Sequence, residues 1–184
     1  NANGKHPPDC PTANKQDLIT RTLELYKDAL PAAIMQQSAA AEREGYSPHP
    51  DNKALQPKHP RVVEIVNFAQ HMGYNKIGLI FCFGLREEAA IVNQILETNG
   101  FAVVSAICKV GNVPKAEVGI NPDHQFNPYG PEAMCNPILQ AELMNEAAVD
   151  FNILFGLCVG HDTLALRYAK APATVLAVKD RVHA

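Results

Sequence analysis

The chain has no tryptophan, no CxxC pair and no GxGxxG or Walker-type loop among its 184 residues. The missing tryptophan excludes nothing by itself. Without a glycine-rich phosphate loop, a nucleotide ligand is not indicated. Without paired cysteines, no metal site can be read from spacing alone. Charge of neither sign dominates: 16 Lys and Arg stand against 19 Asp and Glu, for a net charge of −3. No basic face results, so nucleic acid is not an expected partner. No apolar run approaches the roughly 18 residues of a membrane helix. No signal-peptide pattern is present. The chain starts Asn1-Ala2-Asn3 without a methionine, which we read as an upstream segment having been removed, any targeting segment with it.

What is present is an ordinary globular balance, 47% apolar and 19% charged. This length suits one domain with a core of its own. We expect a single α/β domain over 1–184, with an arm and helical region at 1–59 and a core at 60–184. Five cysteines, an odd number, sit in or beside apolar runs. They do not read as a disulfide framework, and we expect a reducing compartment, the cytoplasm.

Residues 1–14 read as an extended arm, with Asn14 the expected cap of helical periodicity over 15–44. Pro31 should break or kink that segment, Gly45 should cap it, and 46–59 should be a loop. A helix is expected over 60–72, with Gly73 left-handed at its end. KIGLIFCFG (76–84), FAVVSAICK (101–109), FNILFGLC (151–158) and ATVLAVKD (173–180) read as buried strands. Helices are expected at 86–98, at 136–147 capped by Asn136, and at about 162–169 capped by Asp162.

Apolar strands alternating with helices mean a mainly parallel four-stranded sheet covered on both faces, a three-layer Rossmann-like or flavodoxin-like fold with extra N-terminal helices. A 2-1-3-4 strand order places a switch point between the first and third strands; 3-2-1 orders fit the pattern too. Residues 109–135, rich in proline and glycine, are a long excursion that leaves and rejoins the carboxyl edge. Connections this long are often lids or binding loops.

Cys82, Cys108 and Cys158 end strands, and Cys135 precedes a helix that starts at the same edge. Taken singly, each is most simply core filler. Together they form a candidate soft-metal site, for zinc or an iron–sulfur cluster. Gly156-Leu157-Cys158-Val159-Gly160-His161-Asp162 has the form of a nucleophile elbow with cysteine in place of serine. A helix N-terminus and a His161 imidazolium would both favour a thiolate there. The second reading is therefore a cysteine hydrolase or transferase using Cys158 and His161, with His59, His124 and His183 as further candidate bases. Gly84, Gly160 and Asp162 stand at turns that could meet a ligand. A third reading is a small-molecule-binding module. Lys179-Asp180-Arg181 reads as a solvated tail at the same edge. Cys10, His6 and His49 lie outside the sheet.

DCPT (9–12), FCFGL (81–85), AICKVGNVPK (106–115), EAMCNPILQAELMNE (132–146), GLCVGHD (156–162) and VLAVKDRV (175–182) resemble an uncharacterised predicted metal-binding protein family of bacteria and archaea. The resemblance implies a cytoplasmic protein whose metal ligands fall among Cys10, Cys82, Cys108, Cys135 and Cys158, with a GHD element at Gly160, His161 and Asp162. It implies no known reaction. By the same resemblance, members usually carry a further cysteine cluster upstream of the CPT element, which this chain lacks.

Overall fold

The computed structural model describes residues 6–127 and 129–182. The chain divides into two compact units, 1–58 and 59–184. The first holds α1 (Pro11–Asn14), α2 (Gln16–Leu25), α3 (Ala29–Glu44) and a hairpin of β1 (Tyr46–Pro48) and β2 (Leu55–Pro57). Three expectations change here. Asn14 ends α1 rather than capping α2, and its amide donates to the Pro8 carbonyl. The helical break falls at 26–28, ahead of Pro31. Pro31 sits in the first turn of α3, where its missing N–H has no helical partner to lose. The expected loop at 46–59 contains an antiparallel pair, Tyr46 opposite Pro57 and Pro48 opposite Leu55.

The second unit comprises α4 (Arg61–His71), β3 (Lys76–Phe81), α5 (Arg86–Thr98), β4 (Ala102–Ile107), α6 (Pro137–Glu146), β5 (Phe151–Phe155), α7 (His161–Tyr168) and β6 (Ala173–Ala177). The four strands pair in parallel in the order β4-β3-β5-β6. Counted within this sheet, that is the 2-1-3-4 order. Right-handed crossovers then send the connections from β3 and from β5 to opposite faces and open a crevice between those strands.

Period-two alternation assigns the side chains. Ile77, Leu79, Phe151 and Ile153 pack with Ile65, Val66, Val92 and Leu96 of α4 and α5. Ile80, Ala106 and Leu154 pack the other way, with Met144 of α6 and Ala165 of α7. Cys82 and Cys108 continue this second series and belong to the same cluster. Each strand of β3 and β4 therefore finishes its core-facing run in a thiol. Burying such side chains contributes about 1.5–3 kcal/mol apiece. Gly78 lies on the same face because there is no room for more. A Cβ there would come within 2.5 Å of Asn152 Oδ1 and 2.8 Å of Met144 Sδ.

Candidate functional site

The register of β3 on β4 pairs Phe81 with Ile107, so the next residues, Cys82 and Cys108, leave the sheet side by side. Both are buried, with 7% and 2% of their surface exposed. Gln140 helps to set their spacing. Wholly buried on α6, it donates from one amide nitrogen to the Phe81 carbonyl at 3.1 Å and the Ala106 carbonyl at 2.7 Å. It therefore ties the two strand ends together just ahead of the thiols.

Cys135 arrives by way of the long loop. Asn136 N–H donates to the Cys108 carbonyl at 2.7 Å, and the Asn136 side chain caps α6 by accepting from Leu139 N–H. Pro137 occupies the first turn. Cys135 and Cys108 are then in side-chain contact. The hydrogen bond from Cys108 holds Cys135 down to about 7, helped by Lys109 and opposed by burial and by the charges of Cys158 and Cys82. Cys108 is pushed up, first by that same bond and then by burial. Phe83 N–H also donates to Cys108 Sγ at 3.2 Å.

Cys158 lies beyond β5 between two left-handed glycines, Gly156 at φ 63° and Gly160 at φ 84°. Gly156 also meets Leu85 so closely that a Cβ would lie 2.0 Å from Leu85 Cδ1. Gly160, not Asp162, caps α7. The Asp162 carboxylate instead accepts from Thr163 N–H at 2.7 Å. The N–H groups of His161 and Asp162 turn back to the Cys158 carbonyl. Among the described residues, the N–H groups of Val159 and Gly160 carry no hydrogen bond.

The tail after β6 supplies cations. Lys179 Nζ donates to Cys82 Sγ at 3.0 Å, and Arg181 donates to Cys158 Sγ at 3.1 Å. The bond to Cys82 raises the Lys179 pKa, so the ammonium is retained. Gly84 gives the lysine its path, since a Cβ there would stand 3.1 Å from Lys179 Nζ. The residues read as a solvated tail are therefore the charge partners of two thiols. Sequence position placed them at the correct edge; only the folded chain turns them back onto it.

His161 is half-buried, and burial lowers its pKa, with Lys109, Arg181 and Lys115 adding to the effect and Asp162 opposing it. The imidazole is neutral near pH 7, so the expected imidazolium is not what charges this site. Arg181 and Lys179 are. His124 lies in an exposed turn, His59 is half-buried with Nδ1 unpartnered, and His183 lies outside the described residues. Cys10 belongs to the first unit, with its sulfur 3.8 Å from His6 Nδ1. Bonds from Thr12 lower its pKa. His49 is in the same unit, bonded to Asp51 N–H.

The loop is laced rather than loose. Met134 N–H bonds the Val113 carbonyl, Lys115 N–H bonds the Glu132 carbonyl, and Pro114 bridges Ala133. Lys115 Nζ sits 2.7 Å from the Glu132 carboxylate, whose other oxygen accepts from Phe126 and Asn127 N–H. Lys109 donates to the Ala133 carbonyl.

Among the described residues, no three His, Cys, Asp or Glu side chains are placed to hold a metal ion. The sulfurs engage cations, a backbone N–H and one another instead. No described helix is long and apolar enough to cross a membrane.

Fold and site together define a three-layer α/β protein with thiols and cations gathered at the switch point of a parallel sheet. Residues 10–176 match the family described as protein of unknown function DUF1847, and the chain belongs to that family. The uncharacterized protein MJ0455 of Methanocaldococcus jannaschii is 41% identical over 168 residues, covering 91% of this chain and 80% of that protein. No solved structure matches the chain.

Proposed function

We propose that the carboxyl-edge cluster is a cysteine-dependent site acting on a small anionic electrophile, with Cys158 as the nucleophile. The observation that carries this reading is the Arg181 guanidinium on Cys158 Sγ, at a turn that only left-handed glycines permit. Charge-assisted hydrogen bonds of this kind favour an anionic partner. In a nucleophile elbow, the N–H after the nucleophile stabilises the developing oxyanion. The corresponding group here is Val159 N–H, which has no partner among the described residues. Neutral His161 is in a state that can accept a proton. Lys109, Lys115 and Arg181 all act electrostatically on His161, and this positive surround suits a substrate carrying a carboxylate or phosphate.

The test compares iodoacetate with iodoacetamide at each cysteine by peptide mass spectrometry. Relative to a small thiol in solution, Cys158 should prefer the anionic reagent, and Arg181→Met should remove the preference. Equal treatment of the two reagents at Cys158 would end the reading.

A second reading is binding of zinc or an iron–sulfur cluster in a redox or sensing role. One observation favours it: Cys82, Cys108 and Cys158 each interact with Cys135. It requires the sulfurs to give up their present partners. Elemental analysis with acid-labile sulfide, on protein purified without oxygen, tests it; one zinc per chain, or iron with matching sulfide, supports it. Metal-free protein counts against it.

A further inference from the structure

Cys108 interacts through its side chain with Cys135 and also with Cys82, while Cys82 and Cys158 are held by Lys179 and Arg181. The backbone is already set for a link. The 2.7 Å bond from Asn136 N–H to the Cys108 carbonyl fastens the backbone just after Cys135 to Cys108, so the two residues are backbone neighbours. Disulfides span about 4.4–6.8 Å between Cα atoms. Exposure divides the roles, because Cys135 is half-buried and Cys108 is only 2% exposed.

We infer that Cys135 and Cys108 form a dithiol pair that exchanges with disulfide substrates, Cys135 attacking and Cys108 resolving. The reaction is independent of Cys158. The Cys135 thiolate attacks one sulfur of a disulfide R–S–S–R′, forming a Cys135–S–S–R bond and releasing R′S⁻. Cys108 gives up its thiol proton and attacks Cys135 Sγ, forming the internal disulfide and releasing RS⁻. Two electrons pass to the substrate, which leaves as two thiols once protonated. A dithiol reductant restores the pair by the reverse exchange.

Glutathione disulfide is the probe. The reduced wild-type chain is treated with it and mapped by peptide mass spectrometry without reductant. The expected product is a Cys108–Cys135 linkage as the principal disulfide, abolished by dithiothreitol. Cys108→Ser should instead retain a glutathionyl group on Cys135, because the resolving thiol is gone. A principal linkage of Cys82 to Cys108, or of Cys135 to Cys158, would overturn the assignment. So would stable glutathionyl adducts on wild-type Cys135 without an internal bond. The wild-type map decides the matter even if the buried variant fails to fold. A negative result leaves the Cys158 reading standing, since the two experiments read different sulfurs.

Discussion

The sharpest prediction concerns how fast Cys135 is alkylated at two pH values. An ordinary thiol here has a reference value of 9.0, and Cys135 is held down to about 7, chiefly by the hydrogen bond from Cys108. Only the thiolate reacts. Between pH 6 and pH 8, the thiolate fraction of an ordinary thiol rises about 90-fold, whereas that of a thiol at 7 rises only about 10-fold, from roughly one-tenth to nine-tenths. Partial burial slows both rates equally, and intrinsic nucleophilicity is unchanged by pH, so both cancel in the ratio. Iodoacetamide labelling, quenched over time and quantified at the Cys135 peptide, should therefore give a ratio near 10. Replacing Cys108 by alanine removes the donor and should move the ratio toward 90. A wild-type ratio near 90 would refute the claim that Cys108 stabilises the Cys135 thiolate.

Three further outcomes follow from the geometry. Gly156→Ala must place a Cβ at φ 63° and 2.0 Å from Leu85 Cδ1, costing about 2–5 kcal/mol; chemical denaturation measures this, and a loss below 1 kcal/mol would contradict the packing. Asn136→Ala removes the α6 cap, for a loss of about 1 kcal/mol, seen in calorimetry as a fall in Tm of about 4 °C. Glu132 has its pKa lowered, first by Lys115. Its contribution is present above the unfolded-state value and is lost as pH falls through the lower folded value. Amide exchange at Phe126 and Asn127, corrected for intrinsic rates, should lose protection in that acid window and keep it at neutral pH.

The parallel sheet was legible because its strands are apolar runs separated by capped helices, and Asn136-Pro137 marked one helix start without ambiguity. The thiol edge was legible for a related reason: a residue that ends a buried strand has few other places to go. The hairpin at 46–57 was not. Its strands are three residues long, mostly exposed and carry proline at Pro48 and Pro57, so neither alternation nor apolar content marks them. Asp162 resembles a cap by residue type, but the left-handed turn at Gly160 takes that position first. Lys179 and Arg181 were legible only as charges, because their reach depends on how the tail bends after β6. Gln140 left a signal that could have been read. It shares a helical stripe with Pro137, Ala141 and Met144, all buried, and a glutamine on such a stripe needs acceptors in the core.

The lacing of the long loop separates it into a stem and a tip. Contacts from Val113 to Lys115 on one side and Glu132 to Met134 on the other form a clasp, and Gln140 holds the strand ends without the loop's help. Phe126 and Asn127 are tied to Glu132, whereas residues 116–125 lie outside both fastenings. Sequence can be inserted there, or a tag displayed, while the sulfurs keep their spacing. The tip is thus a place where such chains can vary in length without rebuilding the chemistry below.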